Sequence, residues 1–392
     1  MPPNVIDSPS FPVFLRLLIL SIASEGLYLF LAAQSGAPPF AFPLLWGALF
    51  VTFALAIRAV QGLQGKSGRV LVLFVFATSA LFRLSLLLGR SGFSTDVPEA
   101  FLHAASPIRA AIGIRPELEP FAAVAFDLGA LALMPALLRA ASLPAGLALV
   151  YGWNPLLVKE VAASGRIETI PLFFLLLAFL LLQKKRPGAS ALAYGASLAG
   201  PPFLWATLPL AARALGFRLV LSLFVAALAW APLAATRPFA DLMGWPPSSS
   251  IGGSLMPATA ELARLLVTRD PLAALLFCAG IWLLLALVRA AKLAPNGGEL
   301  PREALVLLGC FIFLSPQVLP WAFLPIAGLA AFSANPGWIV ATATAPLTYL
   351  ALGEGKWSFW LAFAQYFPVY ASLVFVALGA KRSRKGRPGK AK

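Results

Sequence analysis

Lys159, Glu160, Arg166 and Glu168 sit within ten residues of one another in YGWNPLLVKEVAASGRIETIPLFF, Tyr151 to Phe174, a segment otherwise rich in apolar side chains. A guanidinium presents a planar fork of donors that matches a phosphate, and a carboxylate accepts hydrogen bonds from hydroxyls. Together they suit a ligand that carries both groups. Inside hydrocarbon each ionisable side chain costs about 2.5–3.5 kcal/mol on insertion scales, so such groups face a polar cavity or an opposite charge. Four of them so close together point to the wall of a site.

Other polar residues interrupt other apolar stretches. Asp96, in GRSGFSTDVPEAF, is a candidate base or metal-holding carboxylate, with a solvated turn before Pro98 as its plainer alternative. Glu99 follows three residues later. Asp127, in FAAVAFDLGALAL, falls about seven residues into an apolar run, roughly 10 Å deep at 1.5 Å per residue, and needs a partner. Arg83, in VFATSALFRLSLL, lies at comparable depth, so the two are expected either to form a structural ion pair or to polarise one wall of the site. Gln317 and Trp321, in SPQVLPWAF, put an amide and an indole at a proline-bounded bend, where they contact a sugar or lipid head or serve as interfacial anchors. Glu25 is a lone charge in the first apolar run.

The elements that must hold these groups follow from composition. With 60% hydrophobic and 11% charged residues over 392 positions, and a mean hydropathy of +0.86, a soluble domain is excluded. The expected fold is all-α, a polytopic integral membrane protein of about 12–14 transmembrane helices. One transmembrane domain spans 1–380, and a basic, disordered tail spans 381–392. The net charge of +15 resides mainly in joints between spans and in the tail KRSRKGRPGKAK, which fits positive-inside topology and argues against nucleic acid as a partner. Both termini then lie in the cytoplasm. Segments 90–120 and 236–270 become the long outer loops, with AFLHAASPIRAAIGI and MPATAELARLLVTRD as interfacial helices touching membrane lipids. The first apolar run reads as an anchor rather than a cleaved signal. Cys278 and Cys310 fall in apolar runs as small hydrophobes, and His103 as the only histidine removes multi-histidine metal chemistry. No metal or other cofactor is called for, although two carboxylates could hold a divalent ion. Asn154–Pro155 predicts a helix break, and Glu160 and Ser164, four apart, are predicted to share a helical face.

The stretches WNPLLVKEVAASGRIETIPLFFLLLAFLLL and FLSPQVLPWAFLPIAGL resemble the polytopic glycosyltransferases of the GT-C superfamily, in particular the bacterial polyprenol-phosphate-mannose-dependent mannosyltransferases. FDLGALAL resembles that family's acidic fourth-span segment, and FADLMGWPPSSSIGGSL resembles its loop ending in a small surface helix. The resemblance implies an enzyme of the bacterial inner membrane that moves a mannose-like sugar from a polyprenyl-phosphate donor to a lipid or glycan acceptor of the envelope. Transfer would occur on the non-cytoplasmic face with inversion at the sugar carbon. It further implies Asp96 as the base, Arg166 with Lys159 as donor-phosphate contacts, and Glu160, Glu168, Asp127, Gln317 and Trp321 as cavity-lining groups.

The chain departs from the family pattern at several polar positions. Arg166 and Glu168 stand where the family usually has His and Asp, and Leu319, Pro320, Trp321 and Ala322 stand where it usually has His-Pro-Trp-Tyr. SLAGPPFLW lacks an expected Lys. Two other outcomes fit the same charges: a catalytically inactive partner subunit, or a transporter or lipid-handling protein with Glu25, Asp127 and Glu160 along its path.

Overall fold

Hydrocarbon has no partners for backbone N–H and C=O groups, so apolar runs close their hydrogen bonds within helices. The computed structural model describes residues 11–33, 41–61, 68–89, 113–234, 253, 271–293, 298–315, 318–333, 335–354 and 358–385. Among these the regular elements are all helical. Four long helices come first: α1 (Phe11–Ala33), α2 (Ala41–Gln61), α3 (Arg69–Leu88) and α4 (Glu119–Ala140). The chain then breaks into α5 (Ala148–Gly152), α6 (Pro155–Val158) and a π turn over Lys159–Ala163, before α7 (Thr169–Gln183) and α8 (Pro187–Leu198). After these come α9 (Leu208–Leu215), α10 (Leu219–Ala234), α11 (Pro271–Lys292) and α12 (Leu300–Leu314). The short α13 (Leu324–Leu329), α14 (Gly337–Thr344) and α15 (Leu347–Glu354) lead into the long α16 (Phe359–Lys385).

The protein is a polytopic, all-α membrane protein. Among the described residues six helical stretches are long and apolar enough to cross a bilayer: Phe11–Ala33, Phe42–Gln61, Arg69–Leu88, Pro116–Ala140, Pro202–Pro232 and Phe359–Gly379. The 12–14 spans expected from hydropathy refer to the whole chain, and within the described residues proline and glycine divide two further apolar runs into pieces. Pro144, Gly152, Pro155 and Gly165 fragment the run before α7, and Pro320, Pro325, Pro336 and Pro346 fragment the run between α12 and α16. The C-terminal helix continues to Lys385, into the segment expected to be a disordered tail. The expected interfacial helix at 256–270, and all but the last two residues of the one at 100–114, lie outside the described residues.

Ile22, Leu73, Phe224, Leu284 and Phe375 are exposed, as a lipid-facing perimeter requires. The core is centred on α7, which packs against α4, α8 and α13. At 15 residues it reaches only about 22 Å, so it sits inside the bundle and its neighbours do the spanning. Hydroxyls tie α7, α8 and α10 together: Ser190 Oγ donates to Ala178 O at 2.8 Å, and Ser222 Oγ to Ala191 O at 2.8 Å. Gly195 allows that approach, since a Cβ there would meet Ser222 O at 2.6 Å.

Candidate functional site

Local sequence explains how the charged segment folds. Gly152 ends α5, and Asn154 caps α6 by accepting the Leu156 N–H at 3.0 Å, with Pro155 at the first helical position where its missing N–H is harmless. The expected break at Asn154–Pro155 is therefore present. The next turn is wider than an α-helix, and Ser164 N donates to Lys159 O at 3.1 Å, five residues back. That extra residue changes the face. Ser164 Oγ comes within 3.5 Å of Lys159 Nζ, so the expected Glu160–Ser164 alignment is replaced by a Lys159–Ser164 one. Gly165, at φ 65°, then reverses the chain, and Arg166 N donates to Glu160 O at 2.9 Å. Thr169 Oγ1, donating to Ala123 O at 3.2 Å, fixes the start of α7 on α4.

The result gathers five of the sequence candidates: Lys159, Glu160, Arg166, Glu168 and Trp321. Lys159 Nζ donates to Glu160 Oε1 at 2.8 Å, although neighbours in sequence on a regular helix point apart. Tyr349 OH donates to the same oxygen at 2.7 Å, and Lys159 Nζ lies 3.9 Å from the Tyr349 ring centroid. Both charged side chains are 0% exposed, so each depends on the other for its solvation. Arg166 Nε stands 3.9 Å from Glu160 Oε2, and its Cζ lies 3.5 Å from the centre of the Trp321 ring. Arg166 and Trp321 are nearly buried at 7% each. Arg166 Nε, Glu160 Oε2 and the half-buried Glu168 Oε2 have no hydrogen-bond partner among the described residues. Glu168 and Arg166 both lie close enough to Tyr349 to act on its hydroxyl electrostatically.

Asp127 belongs to a second buried centre. Its Oδ2 is paired with Arg83 Nε, and its Oδ1 accepts from Tyr151 OH at 2.7 Å. Arg83 Nη1 also donates to Ser79 O at 3.0 Å and Gly152 O at 2.8 Å. The expected Arg83–Asp127 pair is thus formed, and it locks α3, α4 and α5 together. Both Asp127 oxygens are engaged by protein groups, which suits a structural tie better than ligand contact. Asp96, Glu99 and Gln317 lie outside the described residues. Among the described residues no group of three His, Cys, Asp or Glu is placed to hold a metal.

No family model, no curated protein and no solved structure matches the chain. What the site can do therefore follows from its own geometry. Lys159 Nζ is hydrogen-bonded to Glu160, whereas Arg166 has an unused buried donor among the described residues. Glu168 supplies an acceptor two residues away. The arrangement can bind an anionic oxygen and an adjacent hydroxyl in apolar surroundings.

Sequence reasoning missed Tyr349 and Tyr151. A buried tyrosine hydroxyl needs a partner, which marks both as polar contributors within apolar runs. The sequence holds no signal for which partner each takes, since Tyr349 lies 189 residues from Glu160.

Proposed function

We propose that this membrane protein handles a lipid-linked sugar, holding its phosphate at Arg166 and a sugar hydroxyl at Glu168. Arg166 carries the proposal: it is oriented by Trp321 and Glu160, yet its buried Nε–H has no acceptor among the described residues. A buried unsatisfied donor costs about 1–3 kcal/mol, more when charged, and a phosphate oxygen would relieve it. A polyprenyl-phosphate sugar combines that phosphate with hydroxyls and a chain suited to the apolar bundle. Purified protein should retain radiolabelled polyprenyl-phosphate sugar through gel filtration, and Arg166→Gln should weaken retention about tenfold or more. Absence of binding, or equal binding by the variant, would sink the proposal.

Glycosyl transfer is the second reading, favoured by the unpartnered oxygen of Glu168, which can orient a hydroxyl. In this reaction the acceptor hydroxyl oxygen attacks the anomeric carbon as the bond from that carbon to the phosphate oxygen breaks, its electron pair leaving on the phosphate. The hydroxyl proton passes to a carboxylate base, for which Asp96 is the candidate. The acceptor would be an envelope lipid or glycan on the non-cytoplasmic face of a bacterial inner membrane. Label should move from the donor to an envelope lipid extract and fail to do so with Asp96→Asn. If donor binds and no label moves, the protein is a lipid-handling or partner subunit.

A further inference from the structure

A second feature lies away from this cluster, between α1 and α2. Arg16 and Arg58 flank a cavity of about 440 Å³ whose other walls are Ile19, Leu20, Leu55 and Ala59. Its volume is within the range of small-molecule sites. The two helices run antiparallel, and their register is fixed where Ser24 Oγ meets Thr52 Oγ1 at 2.9 Å. From that pair Arg16 lies eight residues toward the start of α1 and Arg58 six residues toward the end of α2. At 1.5 Å per residue these are about 12 Å and 9 Å along the bundle in the same direction. Both guanidiniums therefore stand at one end of the hairpin, within two turns of the helix termini at Phe11 and Gln61.

That position is headgroup depth, and the apolar part of the groove extends from it toward the hydrocarbon. Ile19 and Leu55 are 57% and 46% exposed, so the groove is open to lipid. Neither arginine has an ion pair among the described residues, in contrast to Arg83, Arg166 and Arg289. Arg69, the first residue of α3, follows α2 in the chain and adds charge of the same sign. The site is thus positive, amphipathic and open sideways to the bilayer.

We propose that this groove binds an anionic glycerophospholipid, its phosphate bridging Arg16 and Arg58 and one acyl chain lying along Ile19, Leu20, Leu55 and Ala59. Charge complementarity selects the occupant. A zwitterionic lipid brings its own cation against the two guanidiniums, whereas phosphatidylglycerol brings only negative charge. Each basic residue near an anionic headgroup contributes roughly a fivefold preference, so the pair gives about 30-fold.

Native mass spectrometry of the intact protein, released from micelles containing equal phosphatidylglycerol and phosphatidylcholine, reads this preference directly. Wild type should retain phosphatidylglycerol in marked excess. Arg16→Gln with Arg58→Gln should lose that excess, Arg16→Lys with Arg58→Lys should keep most of it, and Arg213→Gln with Arg218→Gln should leave it unchanged. Inorganic phosphate at millimolar concentration should not displace the lipid. Equal retention of the two lipids by wild type, an excess that survives the double glutamine variant, or displacement by free phosphate would each overturn the proposal. The wild-type comparison decides the matter even where a variant does not fold.

Discussion

Arg166 sits over the ring of Trp321, its Cζ 3.5 Å from the ring centroid, while its Nε remains 3.9 Å from Glu160 Oε2. The first contact is a close cation–π interaction, and the second is an ion pair too long for a hydrogen bond. The guanidinium is thus held in place by an aromatic face and a carboxylate, neither of which uses up its donor. Such an arrangement leaves binding capacity in a site that is otherwise closed.

Arg166→Lys should retain the charge and lose the planar fork and its stacking on Trp321. Binding of polyprenyl-phosphate sugar should fall at least about tenfold, close to the loss in Arg166→Gln. The folded state gains only about 0.5–2 kcal/mol from the cation–π contact, so thermal stability should move little. Binding isotherms and melting curves on the same samples check both halves. A lysine that binds like arginine would show that charge alone is used.

Glu160→Gln should be among the most damaging single changes, because it strands Lys159 in a fully buried position. Breaking such a pair costs about 3–5 kcal/mol, while replacing both partners with apolar groups is often far milder. Lys159→Met combined with Glu160→Gln should therefore be more stable than Glu160→Gln alone. Denaturation midpoints of the single and double variants in one detergent test this, and additive losses would contradict it.

Some of this was legible in the sequence and some was not. Arg83 and Asp127 announced themselves because a charge in hydrocarbon is anomalous, and each is the other's partner. Asn154–Pro155 announced the helix break because proline fixes where an N–H is dispensable. The π turn did not, since KEVAA has no breaker and the turn forms where α3 and α4 both pack onto it. That single extra residue aligned Ser164 with Lys159 and broke the four-residue rule. Tyr349 was hidden for a different reason, because contacts across 189 residues depend on tertiary packing that local patterns do not encode. Hydropathy registers apolar length, whereas proline and glycine decide whether that length remains one helix, which is why the runs before α7 and between α12 and α16 are divided.

Asp127→Asn should destabilise the bundle by about 3–5 kcal/mol by leaving Arg83 without its counter-charge. Tyr151→Phe removes only one neutral donor to Asp127 and should cost about 1–3 kcal/mol. Because all three side chains form one network, Asp127→Asn combined with Tyr151→Phe should lose less than the sum of the two. Ligand binding by the Tyr151→Phe variant should stay within about twofold of wild type, since this centre ties helices together apart from Arg166. A large binding loss at unchanged stability would instead put Asp127 in the site.

Gly152 tests how tightly α5 lies on α3. Its carbonyl accepts from Arg83 Nη1 at 2.8 Å, and a Cβ added to it would collide with Ser79 Oγ and approach Leu131 Cδ1 to 3.3 Å. Gly152→Ala should therefore push α5 outward, weaken the Arg83 bond and cost about 1–3 kcal/mol. Ser79 Oγ itself donates to Val75 O at 2.6 Å within α3, a bond that adds little to a helix already hydrogen-bonded along its backbone. Ser79→Ala should accordingly be nearly neutral by itself, and it should recover most of the stability lost in Gly152→Ala by removing the colliding oxygen. Leu131 can turn away because its methyl is the end of a flexible side chain. A thermal-denaturation cycle over the four combinations measures the coupling directly. Rescue identifies the clash with the Ser79 hydroxyl as the reason for glycine at this position, and equal losses with or without that hydroxyl would put the constraint on Leu131 and the Ser79 Cβ instead.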